Sequence, residues 1–302
     1  MSWTLRTLLA LLMIAICLGP PAVSLGAGAS ADDGLNAVLD KTAERIRSYP
    51  ELKNWTASVV SVQTEIDKTW KPKKVTRVLK TVRVTDKERS EEIVRAEVTE
   101  KGATRDITRK YIREIEERRR EEKKRDAERK REVQAEEGEK QSRRSFNLED
   151  LIPFSDKNRG KFVFSRLEDE LLDGRPVFVL QSHARVQAEE LWEGRYFISQ
   201  DGYDVLKVIL SLAKNPKFVK EFAAEIEFQV LPTGHFVLRK SRMKVDAGMI
   251  LKHVRMLIEE EYSDYEIIAA ENNPGPASGA EFSITWLRSP AMVENGGIPC
   301  PG

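Results

Sequence analysis

Apolar and polar positions along this chain alternate with a helical period at first and then, over most of its length, with a period of two. From Asp33 to Leu52, Leu35, Val38, Leu39, Ala43 and Ile46 recur at three- and four-residue spacing, with Asp40, Lys41, Glu44 and Arg45 between them. That pattern predicts a helix ended by Pro50. Val60, Val62, Thr64 and Ile66 then alternate with Ser61, Gln63 and Glu65, as a strand with one buried face requires. Trp70-Lys71-Pro72-Lys73 turns the chain into Val75–Val84, rich in β-branched residues, and Ile93–Val98 alternates again. Three such strands in succession predict an antiparallel meander with one face on the core.

The second half repeats the theme. Leu151-Ile152-Pro153-Phe154 returns the chain to the core, and Lys161–Leu167 reads as a strand with Phe162 and Phe164 on one side. Turns are predicted at Asp173-Gly174-Arg175-Pro176, at Asp201-Gly202 and at Pro232-Thr233-Gly234. Between them lie strand candidates at Val177–Leu180, Tyr196–Ile198, Tyr203–Leu210, Ala224–Val230 and Phe236–Leu238. Met249–Glu261 suits a helix by length and a strand by apolar spacing. It is read as a strand paired with Leu238–Val245 and leading into Tyr262–Ile268. Past Ala270 the chain is rich in Gly, Pro and Ser and reads as a flexible tail (271–302), with Phe282–Leu287 a candidate for one short strand.

From about Thr108 to Arg144 the pattern differs in kind. After Ile115 almost no apolar residue occurs, while acids precede bases by four positions at Glu114/Arg118, Glu116/Arg120, Glu121/Arg125, Asp126/Lys130 and Glu136/Lys140. Each pair stabilises an isolated helix by about 0.2–0.5 kcal/mol. No apolar heptad runs through the segment, which argues against a coiled coil. It predicts a single protruding helix of roughly 50 Å, inserted over residues 106–146 and fraying near Gly138. Residues 109–144 read either as an arm for an envelope protein or anionic surface, or as an insertion whose charge only solvates it. The interleaved Glu residues argue against nucleic acid.

The first 31 residues read as an export signal: Arg6, an apolar run from Leu8 to Leu18, the break at Gly19-Pro20-Pro21, and small residues at Ala29-Ser30-Ala31. The run is short of the ~20 apolar residues that a membrane anchor needs. A cleaved, unanchored periplasmic protein is therefore expected. Of the chain's two cysteines, Cys17 lies in the signal behind Ile14-Ala15-Ile16, whose bulk disfavours lipid attachment. Cys300 would remain alone in the mature chain, so no internal disulfide is expected. The 302 residues carry 50 Lys+Arg against 49 Asp+Glu, a near-neutral balance that shows no global bias towards nucleic acid or membrane.

Candidate chemistry is sparse. His183, His235 and His253 are the three histidines, and they lack the clustering that zinc requires. Ser182 and His183 are neighbours on a predicted strand and so point to opposite faces, which excludes them as a nucleophile–base pair. No G-x-S-x-G, P-loop or G-x-G-x-x-G is present. Glu189-Glu190 and Glu259-Glu260-Glu261 read as solvated faces. No enzyme activity, cofactor or metal is expected.

The strand end Glu65-Ile66-Asp67, the hairpin at Asp173-Gly174-Arg175, the segment Trp192-Glu193-Gly194-Arg195-Tyr196-Phe197-Ile198 and the strands flanking Pro232-Thr233-Gly234 carry a resemblance. In these features the chain resembles the LolA/LolB-like periplasmic lipoprotein-sorting carriers, with Ser199 and Gln200 where that family typically has an acidic residue. The resemblance covers about residues 33–268 apart from the insertion. It implies an α+β fold over residues 32–270: a half-open, strongly curved antiparallel sheet, an incomplete barrel, with a lid helix and here the long charged helix. It also implies an exported soluble carrier that shelters a lipid or the acyl chains of a lipidated protein, with transient contact at a membrane surface. Trp55, Trp70, Phe164, Phe178, Trp192, Phe197 and Phe228 are the candidate lining of its cavity; the same rings suit a packed core equally. The alternative from a different class is an envelope scaffold or regulatory module that works through the charged helix and holds no ligand.

Overall fold

The computed structural model describes residues 31–85, 89–133, 151–189, 191–249 and 252–268. Residues 1–30 of the predicted export signal, Gly138 and the end of the predicted insertion, the predicted tail 271–302 and the strand candidate Phe282–Leu287 lie outside these residues.

Helix α1 (Ala31–Ser48) stops before the predicted Leu52, and Ser48 Oγ donates to the carbonyl of Arg45 in its last turn. Strands β1 (Trp55–Ile66), β2 (Pro72–Val84), β3 (Arg89–Glu100) and β4 (Ala103–Asp106) follow. They form the expected meander, with β4 as an exposed four-residue addition that alternation could not reveal. Helix α2 (Thr108–Val133) comes next. After it come the single-turn α3 (Asp156–Arg159) and β5 (Phe162–Arg166), β6 (Glu170–Leu172), β7 (Arg175–Ala184) and β8 (Trp192–Ser199). The chain continues through β9 (Val205–Leu212), β10 (Val219–Val230), β11 (Phe236–Met249) and β12 (Lys252–Ile267). The ambiguous segment before Glu261 is thus a strand, in register with β11 from Met249↔Lys252 to Lys240↔Glu261.

All pairings are antiparallel, in one twelve-stranded sheet ordered β4-β3-β2-β1-β12-β11-β10-β9-β8-β7-β5, with β6 also on β7. The sheet is not closed. Nearly every neighbour in it is also a neighbour in sequence. The main exception is β1 against β12, where Ser61 faces Glu260 and Val59 faces Tyr262. Hairpin chemistry fits the backbone: Asp173 and Gly174 both have positive φ, 52° and 79°, as a tight two-residue turn requires. Gly194 has φ 152°, and a Cβ there would sit 2.0 Å from the carbonyl oxygen of Ile209. Only glycine lets β8 approach β9 at that point.

The residues from Val38 onward form one unit that holds the whole sheet. Residues paired across strands share a face, so the registers define one buried face running from Ala96 and Val82 through Ile258 and Ile226 to Tyr196 and Leu180. Val38, Leu39 and Ala43 of α1 are buried, as is the whole Leu151–Phe154 segment. The ring of Phe154 stands edge-on to Tyr196 at 4.9 Å. The opposite face carries a smaller apolar cluster of Val177, Val179 and Phe197, packed by Leu172, Leu206 and Ile209.

Among its described side chains, helix α2 docks by its first turns. Tyr111, Ile112 and Ile115 are half-buried and the helix contacts β3, whereas Glu116, Glu117, Arg119, Arg120 and Glu121 are exposed. Its 26 residues span about 39 Å at ~1.5 Å per residue. Of the predicted pairs, Glu121–Arg125 forms at 3.9 Å. Arg118 instead donates to the backbone carbonyl of Glu114 at 3.0 Å, and Lys110 pairs with Glu114. Among the described residues, no helix is long and apolar enough to cross a membrane.

Candidate functional site

The strand registers put Trp55, Phe164, Phe178, Trp192 and Phe228 on the buried face. They are joined there by rings that alternation alone did not single out. Trp55 meets Tyr265 at 5.4 Å, Trp192 meets Phe222 at 5.4 Å, and Phe164 meets Phe154 at 5.7 Å. Phe228 stacks on Phe236 at 4.8 Å, and Phe236 stacks on Tyr49 at 4.8 Å. Phe178 packs on Tyr203 at 5.9 Å with the Arg166 guanidinium over its ring.

Phe197 and Trp70 lie elsewhere. Phe197 faces Val179 across β7 and β8 and belongs to the cluster on the opposite face, because the residue after Tyr196 must point the other way. Trp70 is 48% exposed in the β1–β2 turn with φ 62°. Lys244 Nζ and the Arg255 guanidinium lie 4.5 and 4.8 Å from the centre of its ring. Arg255 also donates to the carbonyls of Asp67 and Lys68 and to Asp246 Oδ2. These contacts give Trp70 a part in anchoring the turn to β11 and β12. Burial pushes the Asp246 carboxyl up, but the Arg255 hydrogen bond and the charges of His253 and Arg255 hold it below its ordinary value.

Polar contacts fasten the last turns of α1 to the rest of the fold. Arg45 Nε donates to Asp204 Oδ1 at 2.6 Å, and the Tyr49 hydroxyl donates to the same oxygen. Lys41 Nζ donates to the Tyr203 hydroxyl at 3.1 Å, and Asp40 pairs with Arg159. Burial and the bond to Asp204 raise the Tyr49 hydroxyl well above its ordinary value, which keeps it a donor. Asp204 is thus the point where the end of α1 is fastened to the β8–β9 hairpin.

The same face is built differently under α2. Lys80 Nζ lies 3.3 Å from both Glu91 and Glu260, Arg89 is 3.2 Å from Glu91, and the Tyr262 hydroxyl donates to Glu260 at 3.0 Å. Burial depresses the Lys80 ammonium, but Glu260 and Glu91 outweigh it and leave its pKa raised. Glu91 ends below its ordinary value, since Lys80 and Arg89 overcome the opposing effect of burial. Burial raises the Tyr111 hydroxyl of α2; Lys80 and Arg118 oppose the rise, and Glu91 and Glu260 add to it. The cluster corrects the reading of Glu259-Glu260-Glu261 as a solvated run: Glu260 is only 8% exposed. Its partner Lys80 is far away in sequence, so spacing carried no signal of the contact.

Ser182 and His183 do point apart. Ser182 Oγ is buried, donating to the Tyr196 hydroxyl and accepting from the Gly194 N–H, while His183 is exposed beside Glu193. Among the described residues, no group of three His, Cys, Asp or Glu side chains is placed to hold a metal.

No protein-family model matches the chain, and no curated protein matches it. Solved structures do match it. A LolA superfamily protein from Nitrosomonas europaea is 11% identical, covering 78% of this chain and 93% of that one, with a TM-score of 0.33. An outer-membrane lipoprotein-sorting protein domain from Vibrio parahaemolyticus is 12% identical, with the same coverages and TM-score. A MucA/MucB complex from Pseudomonas aeruginosa matches at 10% identity and a TM-score of 0.23, covering 78% of this chain and all of that one. At these identities and TM-scores each likeness is a loose one.

Proposed function

We propose that this chain is an exported carrier that shelters a lipid or the acyl chains of a lipidated protein on the apolar face of its open sheet, with α1 as the lid. The observation that carries the reading is the way α1 is held. Val38, Leu39 and Ala43 of the helix are buried and Tyr49 just after it stacks on Phe236, yet its directional contacts are polar and lie on Tyr203, Asp204 and Arg159. Releasing a few polar contacts would uncover a wide apolar surface. At about 25 cal/mol per Å2, that surface would repay the transfer of an acyl chain from water. Trp55, Phe164, Phe178, Trp192 and Phe228 are the proposed lining.

The test is lipid analysis by mass spectrometry of gently purified protein, together with uptake of N-phenyl-1-naphthylamine, which fluoresces in apolar surroundings. Asp204→Ala removes the acceptor shared by Arg45 and Tyr49 and is expected to speed dye uptake several-fold. Protein that carries no lipid, and takes up no dye even as Asp204→Ala, would overturn the carrier reading. A second reading, an envelope interaction module without a ligand, is favoured by the packing of that face. Leu180, Tyr196, Ile198, Leu210 and Ile226 are each below 2% exposed, so the chain's own side chains already fill it. Absence of both lipid and dye would support that alternative.

A further inference from the structure

We propose that the sheet edge beside the first turns of α2 is a docking groove for an acidic, partly apolar segment of a partner protein. An open groove of about 990 Å3 lies between β2–β3 and α2. Leu79 and Arg95 are direct partners across the β2–β3 ladder and point the same way, and Val94 is the extra residue at the ladder's irregularity. Leu79 is 37% and Val94 56% exposed. Leu79 points to the side of the sheet opposite Lys80, and Val94 and Ile107 complete the apolar floor.

The rim is basic. Arg95, Arg109, Lys110 and Arg113 surround the floor, against the single acid Asp106. The Asp106 carboxylate already accepts the Thr108 N–H at 2.8 Å. Arg95 and Lys110 have acidic partners in Glu97 and Glu114. Arg109 and Arg113, one helical turn apart, enter no ion pair among the described residues. The surplus positive charge therefore surrounds exposed apolar side chains, and the complementary occupant carries acids around apolar residues.

The layout favours a peptide over other anions. A shallow floor of three side chains cannot enclose an acyl chain. The bases are spread over a strand and a helix, which suits separated carboxylates better than one headgroup. Among the described residues no aromatic ring lines the groove to stack bases, as single-stranded nucleic acid binders require. The site is distinct from the α1-covered face and does not depend on the carrier reading.

The experiment is fluorescence anisotropy of the full chain with a labelled synthetic peptide alternating Glu and Leu, compared with its Lys-for-Glu counterpart. The acidic peptide is expected to bind, and to bind at least tenfold more weakly at about 0.5 M salt than at low salt. Arg109→Glu/Arg113→Glu, and separately Val94→Asp, are expected to weaken it about tenfold or more with circular dichroism unchanged. Arg119→Glu/Arg120→Glu, further along the helix, should leave binding as it is, and dye uptake should be the same in all of these variants. Equal binding of the Lys peptide would overturn the proposal, as would full binding by the folded charge-reversal variants. Capture of phosphatidylglycerol vesicles through these arginines without peptide binding would also overturn it.

Discussion

Around β7–β11 the buried face is filled by aliphatic and aromatic packing, with Phe154 on Tyr196, whereas across β2, β3 and β12 the same face carries Lys80, Glu91, Arg89 and Glu260 close to Tyr111. The two devices differ in what they demand. Apolar burial is non-directional and roughly proportional to area, so a helix can slide or lift and recover it elsewhere. An ion cluster taken out of water tolerates only one arrangement, because a charge left without its partner is costly. The apolar packing around β7–β11 can therefore readjust, whereas the ion cluster of β2, β3 and β12 fixes its neighbours in one arrangement.

That contrast can be broken by mutation. The largest effect is expected from Lys80→Met, which leaves Glu91 and Glu260 facing each other in a buried site. A loss of about 3–5 kcal/mol is expected in urea denaturation, and an unchanged midpoint would mean that the cluster is solvated. Leu39→Ala, at a side chain 1% exposed on α1, is expected to cost about 2–5 kcal/mol. A cost well below 2 kcal/mol would show that the face relaxes around the missing side chain, as an adaptable binding surface should.

The pH dependence of stability sharpens the same comparison. Folded Glu91 titrates below its ordinary value of 4.5, so its contribution is complete above that pH and is lost as pH falls through its lower folded value. Folded Lys80 titrates above 10.5, so its contribution is complete below that pH and is lost as pH rises through its higher folded value. Denaturation midpoints measured across pH should show both limbs, and Lys80→Met/Glu91→Gln/Glu260→Gln should flatten them. Asp246, also held below its ordinary value, leaves a residual acid limb, and the buried Tyr49 and Tyr196 hydroxyls, held above theirs, leave a residual alkaline one. The smallest effect is expected from Glu121→Ala on the exposed part of α2, where Arg125 lies 3.9 Å away and both side chains are two-thirds exposed. It should change stability by no more than about 0.5 kcal/mol, and a larger loss would mean that this part of the helix packs against something.

Strands were legible wherever one face is buried and the other wet, as in β1 and β10, because alternation is the direct imprint of that environment. Elements too short or too exposed to carry an imprint, β4, β6 and α3, left none. The aromatic candidates divided on a point that alternation does record. Phe197 follows Tyr196 and so had to face away from it, yet aromatic character alone grouped it with the rest. Trp70 could be placed only through Lys244 and Arg255, which reach its turn from strands late in the chain.

By itself the sequence determined the period of each segment, the positions of the hairpins and the charge of α2, because these are local: side-chain chemistry three or four residues apart, or two apart, settles them. It also carried the resemblance to the lipoprotein-sorting carriers. Only the tertiary structure decided that β1 lies beside β12, that Glu260 is sunk against Lys80, and that Asp204 fastens α1. Those facts depend on which distant strands become neighbours. Their physical reason is burial of one continuous sheet face, a quantity that no stretch of sequence contains on its own.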